Sequence, residues 1–407
     1  YIFLFSFPAP LRIYRLGGDE MLARSRAYLH AEQIVDDLSR EDLEDESHIR
    51  TFEDRFCSYI GAERCHATNQ ARAALLIALR ALDLSPGDEV LVPDFTFEGV
   101  VDAILESGAT PVFVEPALQD FNVPASHFIE KMTERTRAVI ATHLFGIPCD
   151  IGDLPAIAKE NDCVVIEDCA QCLGAEYNGR PVGTFGDFTI ASCNYEKHLT
   201  TGEDGMLAGN NHTFDGDVER VVGSCTRVPL HDEKCYVYGM LVQHTATERA
   251  VYRRDLLAYF GQNCCRDNPD IFGLVDDMVL QGEPWEDVRT ALLPHVEREI
   301  ERAGYVPPHM RNAVVREVLK RAGEARSRVF CPPIRTIGTG HLLMGALRAL
   351  VGTLGLEELP AVNAARNRNA RLFYGAMQDT PGFLLPEISP GKVPAFLKCN
   401  ILNRTHH

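Results

Sequence analysis

Between Met21 and Asn210, short uninterrupted apolar runs alternate with stretches whose apolar residues recur at helical spacing. Phe52–Ile60 and Ala71–Leu84 read as helices, the second stopped by Pro86-Gly87-Asp88, and Glu89–Pro93 follows as a buried strand. The alternation continues with a helix over Val100–Gly108, a strand over Pro111–Val114, a helix over Phe128–Thr133 and a strand over Ala138–Ala141. Ile151–Asn161 is then a helix and Cys163–Ile166 a strand. Strands that are apolar throughout, each separated from the next by a helix, predict an α/β fold. Its sheet is mainly parallel and sandwiched by helices. Ligands of such sheets bind beyond the carboxyl ends of the strands, so chemistry is expected just after each apolar run.

The pattern changes after His212. Up to Arg335 the chain is charge-rich and helical, with Trp285–Gly304 and Met310–Arg328 as the clearest helices, and reads as an insertion. Its cysteines, Cys225, Cys235, Cys264, Cys265 and Cys331, lack the C-x₂-C spacing of a zinc site, so no metal is expected. Leu342–Met377 forms a long helical pattern, followed by Pro381–Pro386 and a short remainder. No repeat or low-complexity tract is present.

Length and composition narrow the classes. At 407 residues the chain is long enough for two or three domains, and 45% hydrophobic with 24% charged residues is ordinary globular composition. A net charge of −18 makes it a poor partner for nucleic-acid phosphates. Thirteen scattered cysteines, several inside apolar runs, fit buried thiols in a reducing, cytoplasmic setting. No apolar run reaches the roughly 18 residues of a membrane helix. Tyr1–Pro8 is apolar but lacks the basic start of a signal peptide. A chain opening on Tyr1 and closing on Thr405-His406-His407 is expected to be a fragment or to carry foreign ends.

The chemistry concentrates between Val164 and Met206. A strand ends in Glu167-Asp168, and Cys169-Ala170-Gln171 follows. Further on come Ser192 and, five residues later, Lys197, within a stretch rich in Gly, Thr and Ser. A carboxylate able to keep a pyridinium nitrogen protonated, with a lysine able to bond a carbonyl carbon, is the pair that pyridoxal phosphate chemistry requires.

Ordered landmarks extend this constellation: Phe52-Glu53, Ala73-Ala74-Leu75, Pro86–Val90, Pro93-Asp94-Phe95-Thr96-Phe97, His143-Leu144-Phe145-Gly146, Ile166–Gln171, Ser192–Lys197 and Thr200–Glu203. In this order they resemble the DegT/StrS-type aminotransferases, pyridoxal phosphate enzymes of fold type I that act mostly on nucleotide-linked keto sugars. The resemblance covers about residues 50–210 and, more loosely, 338–386. It implies that Lys197 carries the cofactor and shuttles the proton, that Asp168 partners the ring nitrogen, and that Gln171 lies near the ring's phenolic oxygen. It also implies that Ser192 binds the phosphate, that Phe97 stacks on the ring, and that Ala71 and Arg72 stand in the phosphate loop. The expected domains are an N-terminal segment and helix (1–46), a cofactor-binding large domain (47–211), a helical insertion (212–336), and an interdomain helix with the start of an incomplete small C-terminal domain (337–407). The partners implied are an amino-acid donor, L-glutamate or glutamine, a keto-sugar acceptor and a second copy of the chain in a homodimer.

The sequence departs from the family in places. Gln70, Ala71 and Arg72 replace the usual Ser-Gly-Thr, although helix amides and the Arg72 charge still suit a phosphate. In the region corresponding to Gly-Tyr-Asn-Tyr-Arg-Met, His341 stands at the Asn and Leu343 at the Arg. Relatives that act as sugar dehydratases carry His at the lysine position, so Lys197 favours transamination. Cys169 and Cys193 suit the branch that aminates keto-inositols, which stays open as an alternative. So does a degenerate relative that binds a ligand or partner without catalysis. Cys169-Ala170-Gln171-Cys172 is formally C-x-x-C, but the preceding acids disfavour a thiolate. Gly338-Thr339-Gly340 lacks the strand that a dinucleotide fingerprint needs.

Overall fold

The computed structural model describes residues 29–246, 269–302, 341–378, 380–381, 383–399 and 402–403. The expected helix over Met310–Arg328, the Tyr1–Pro8 run, Gly338–Gly340 and the cysteines at 264, 265 and 331 lie outside them.

A nine-stranded sheet organises the chain. Its strands are β1 (Arg64–Thr68), β2 (Glu89–Pro93), β3 (Thr110–Val114), β4 (Thr136–Thr142), β5 (Val164–Asp168), β6 (Phe188–Asn194), β7 (Glu203–Gly209), β8 (Thr226–Arg227) and β9 (His341–Leu343). The order across the sheet is β8-β9-β1-β7-β6-β5-β4-β2-β3. From β3 to β6 all neighbours are parallel. The turn back from β6 to β7 and the pairings of β1 are antiparallel. The mainly parallel sheet expected from the apolar runs is therefore present, with an antiparallel flank. Arg64–Thr68, Phe188–Asn194 and Glu203–Gly209 were not legible as strands, because polar and small residues interrupt their apolar positions.

Helices α1 (Ala31–Arg40), α2 (Ser47–Ile60), α3 (Ala71–Ala81), α4 (Glu98–Glu106), α5 (Ala125–Lys131), α6 (Leu154–Glu160) and α7 (Asp215–Val222) surround this sheet. The Ala- and Leu-rich α3 has high helix propensity. Residues 73–79 are wholly buried between β-strands, α4 and α7, so this helix is apolar all round instead of striped.

Beyond β8, helices α8 (Leu230–Ala246), α9 (Pro269–Leu280) and α10 (Trp285–Arg302) pack on α1 around Ile34, Val237, Leu241, Val275 and Val288. The expected Trp285–Gly304 helix is thus found over its described residues, Trp285–Arg302. The final long helix, α11, spans Ala346–Met377. Its start corrects the reading of a helix from Leu342. Leu342 and Leu343 belong to β9, because Thr68 of β1 pairs with Leu343 and the chain turns only at Gly345. No described helix is long and apolar enough to cross a membrane.

Candidate active site

The carboxyl ends of β4 and β5 lie side by side, Thr142 in register with Asp168, while Asp168 pairs with Ile190 of β6, which runs on to Asn194. Asp168 ends its strand buried, with its Oδ1 accepting the Ala170 amide at 3.0 Å. Burial pushes its carboxyl above the ordinary range, against the pull of that amide and of the Lys197 charge. Lys197 sits in the loop between β6 and β7, its amide bonded to the Asn194 carbonyl at 2.9 Å. Desolvation lowers its pKa, and the Asp168 carboxylate opposes that fall. The strand ends thus bring an acid biased towards its protonated form within electrostatic reach of an amine biased towards its neutral form.

Ser192 is two residues from the end of β6 and pairs with Gly205 of β7. Gly205 in turn faces the first turn of α3, where an added Cβ would come within 2.4 Å of the Ala71 nitrogen. The absent side chain lets the N-terminus of α3 close on the strand pair that carries Ser192. Amides of a first helical turn lack intrahelical partners and favour an anion. Phe97 precedes α4 and is 61% exposed. Its ring and the Arg72 stem meet over Gly99, where a Cβ would lie 2.8 Å from Phe97 Cε1 and 2.9 Å from Arg72 Cδ. Arg72 Nε also donates to Gln70 Oε1 at 2.9 Å. Ser192, Ala71, Arg72 and Phe97 are therefore linked through two glycines. Gln171 Oε1 accepts the Phe145 amide at 3.0 Å and fixes a turn in which Phe145 adopts a left-handed φ of 59°. Leu343 is buried in the sheet. The side chain of His341 is outside the description.

Sequence reasoning quoted His143 and Glu167 but gave them no role. Both are wholly buried. Glu167 accepts the amides of Gly183, Phe185 and Gly186 at 2.8, 2.6 and 2.7 Å, and faces His143 Nε2 at 3.1 Å. His143 Nδ1 accepts the Cys149 amide at 3.0 Å, which places the ring proton on Nε2, pointing at Glu167. This network fastens the strand that ends in Asp168; the run Gly183-Thr184-Phe185-Gly186 after a double acid was its only signal. His143, Cys169 and Cys172 offer ligand atoms within 4.8 Å of one another. Both ring nitrogens are already committed, however, so the imidazole would have to turn before it could bind a metal. Burial raises the Cys169 and Cys172 thiols, the opposite of an activated redox pair.

A mainly parallel sheet with a buried acid and a desolvated lysine beyond its strands is the arrangement of the large domain of fold type I pyridoxal phosphate enzymes. The aminotransferase CalS13 of Micromonospora echinospora superposes with a TM-score of 0.60 at 21% identity, covering 95% of this chain and 81% of that one. Over residues 30–233 the sequence matches the DegT/DnrJ/EryC1/StrS aminotransferase family, and the chain belongs to it. GDP-perosamine synthase of Escherichia coli O157:H7 is 39% identical over 168 residues, 41% of this chain and 46% of that protein. The dTDP-3-amino-3,6-dideoxy-alpha-D-galactopyranose transaminase of Aneurinibacillus thermoaerophilus is 44% identical over 139 residues, 34% of this chain and 38% of that protein. The chain spans less than half the length of either relative. Pyridoxal phosphate is the cofactor of the family. The residues present fit it: Asp168 suits a ring nitrogen, Lys197 a carbonyl carbon, and the N-terminus of α3, brought against the Ser192 strand pair at Gly205, a phosphate.

Proposed function

We propose that the chain is a pyridoxal phosphate-dependent transaminase that moves an amino group from L-glutamate or glutamine to a nucleotide-linked keto sugar. The observation that carries this reading is the desolvated Lys197, in the loop after β6, whose charge acts on the buried Asp168 that ends β5. When bound, the cofactor supplies an electron sink for the carbon that loses its proton. Asp168 holds the proton of the ring nitrogen, and its burial strengthens that contact. The α3 amides, Ser192 and Arg72 hold the phosphate, and Phe97 covers the ring. Lys197 works as a neutral amine, taking and returning the proton at its Nζ. Its lowered pKa favours that form. The enzyme is cytoplasmic and a homodimer, with residues 47–211 in its cofactor-binding domain; α7 and β8 extend that domain beyond the expected boundary at 211, because they pack on α3 and pair in its sheet, so the insertion begins after β8.

The test is borohydride reduction after incubation with pyridoxal phosphate, followed by peptide mapping. A pyridoxyl adduct on Lys197, absent from Lys197→Ala, supports the assignment, and ping-pong kinetics with glutamate and a keto sugar completes it. An unmodified Lys197 in folded protein rejects it. Gln70–Arg72 would then mark a phosphate loop that has lost its ligand.

A further inference from the structure

The core of the inserted helices takes in part of the loop that carries Lys197. Tyr195, two residues before the lysine, is buried in the cluster that includes Val237 and Leu241 of α8, Val275 of α9 and Val288 of α10. Three residues beyond the lysine, the Thr200 hydroxyl donates to the Met240 sulfur of α8 at 3.7 Å and accepts the Gly202 amide at 3.2 Å. Gly202 takes a left-handed φ of 108°, and a Cβ added there would lie 3.4 Å from Tyr236 Cβ and 3.6 Å from Met240 Sδ. Its carbonyl accepts the Tyr195 amide at 3.0 Å, so the loop closes on itself with Lys197 between the two joined residues. Thr200 and Met240 are both buried. Other parts of the loop are fastened elsewhere. Leu199 presses on Gly355 of α11, where a Cβ would come within 2.5 Å of Leu199 Cδ1. His198 Nε2 donates at 2.9 Å to the Ala395 carbonyl, in a strap formed by residues 394–398.

α8 thus supplies the backing of the turn over residues 200–202, and Met240, unbranched and polarisable, fills the space behind it. We propose that α8 is a positioning element for the reaction at Lys197, with Met240 backing the turn and so fixing the seat of the lysine. The proposal rests on reading Lys197 as the lysine that carries the cofactor, and it gives the insertion a geometric role. Met240 is uncharged, and the groups whose charges act on Lys197, namely Asp168, Lys398, Glu196 and the Cys172 thiol, lie outside α8. Emptying the space behind the turn lets the loop relax, which lessens the desolvation of the amine and returns its titration towards the ordinary lysine range.

The acylation rate of Lys197 against pH, read by peptide mapping of the full chain, gives the midpoint of that titration without turnover. Met240→Ala moves the midpoint up by about half a pH unit or more, and Met240→Leu, which refills the space, keeps the wild-type value. Leu292→Ala empties a similar volume in the same helical core, on α10, and is the control. It lowers stability in urea unfolding and leaves the midpoint in place. Should Met240→Ala not fold, Thr200→Val against Thr200→Ser puts the same question, because serine keeps the hydroxyl between Met240 and Gly202 and valine does not. Valine then moves the midpoint up and serine holds it. A midpoint unmoved by the first variant that folds, or moved as far by Leu292→Ala, overturns the proposal. An unmoved midpoint in protein whose Lys197 takes a pyridoxyl group leaves the transaminase standing and removes only the role of α8. A moved midpoint in protein that takes none keeps α8 as the seat of the lysine and removes the transaminase.

Discussion

At the scale of single residues, Lys197 and Asp168 set each other's protonation. Burial lowers the lysine's pKa while the neighbouring carboxylate raises it. Replacing Asp168 by Asn keeps the shape and deletes only the opposing influence, so the lysine's pKa falls further and more of it is neutral at pH 8. Lys197 in Asp168→Asn is therefore expected to react faster with an acylating reagent at that pH, measured by peptide mapping against time. An unchanged rate would show that the two groups do not feel each other. Glu167 presents a different case. Its carboxylate meets three amides and an imidazole N–H with no exposure, so Glu167→Gln exchanges an acceptor oxygen for a donor among donors. The expected loss is about 3 kcal/mol in urea unfolding. A loss below about 1 kcal/mol would mean that the loop relaxes around the amide.

At the scale of elements, the site depends on close approaches that only glycine permits. An alanine Cβ at Gly205 would sit 2.4 Å from a main-chain nitrogen of α3, a helix whose residues 73–79 are wholly buried. Gly205→Ala is expected to cost about 1–3 kcal/mol and, by displacing the helix terminus from Ser192, to weaken pyridoxal phosphate binding about tenfold or more. Equilibrium dialysis and denaturant melts separate the two effects; a normal cofactor affinity would detach α3 from the phosphate site. The helix itself and strands β2 to β5 were readable, because buried parallel strands and a helix sandwiched among them leave uninterrupted apolar runs. Asp168 was readable for the same reason, standing where such a run ends. What the sequence hid depends on distant pairing. The strap over 394–398 bonds to residues 145–146 and 198, and no local pattern marks it. Strand β7 contains Asp204, whose ionic partner Arg348 lies far along the chain in α11. Phe97 was readable as an aromatic near the loop, yet only the structure sets its ring against Arg72 over Gly99.

At the scale of the whole molecule, one buried ion cluster ties the sheet to the inserted helices and the long final helix. Arg348 of α11 is wholly buried, its Nη1 2.7 Å from Asp204 of β7 and its Nε 3.0 Å from Glu233 of α8. Glu233 also accepts the amides of Gly345 and Leu347 at 2.7 and 3.2 Å, closing the N-terminus of α11 from another part of the chain. Removing the guanidinium leaves two buried carboxyls without their base, so Arg348→Met is expected to destabilise the protein by about 3–5 kcal/mol. Even with Arg348 present, two acids share one base. Burial pushes both carboxyls up, Asp204 to about 8. In the unfolded chain an aspartate releases its proton near pH 4. Between that pH and about 8 the folded state holds a proton that the unfolded state does not, so stability falls as pH rises across the window. Glu53, buried and raised to about 7, slopes the same way, but it is untouched by a change at Asp204. The difference between wild type and Asp204→Asn therefore isolates the cluster. Urea unfolding at intervals from pH 5 to pH 9 is expected to show wild type losing stability relative to the variant as pH rises, with the gap levelling off above about pH 8. Parallel profiles would mean that Arg348 keeps both carboxylates ionised throughout. The cluster would then be a fixed ion network, and the junction of sheet, insertion and final helix would be insensitive to pH.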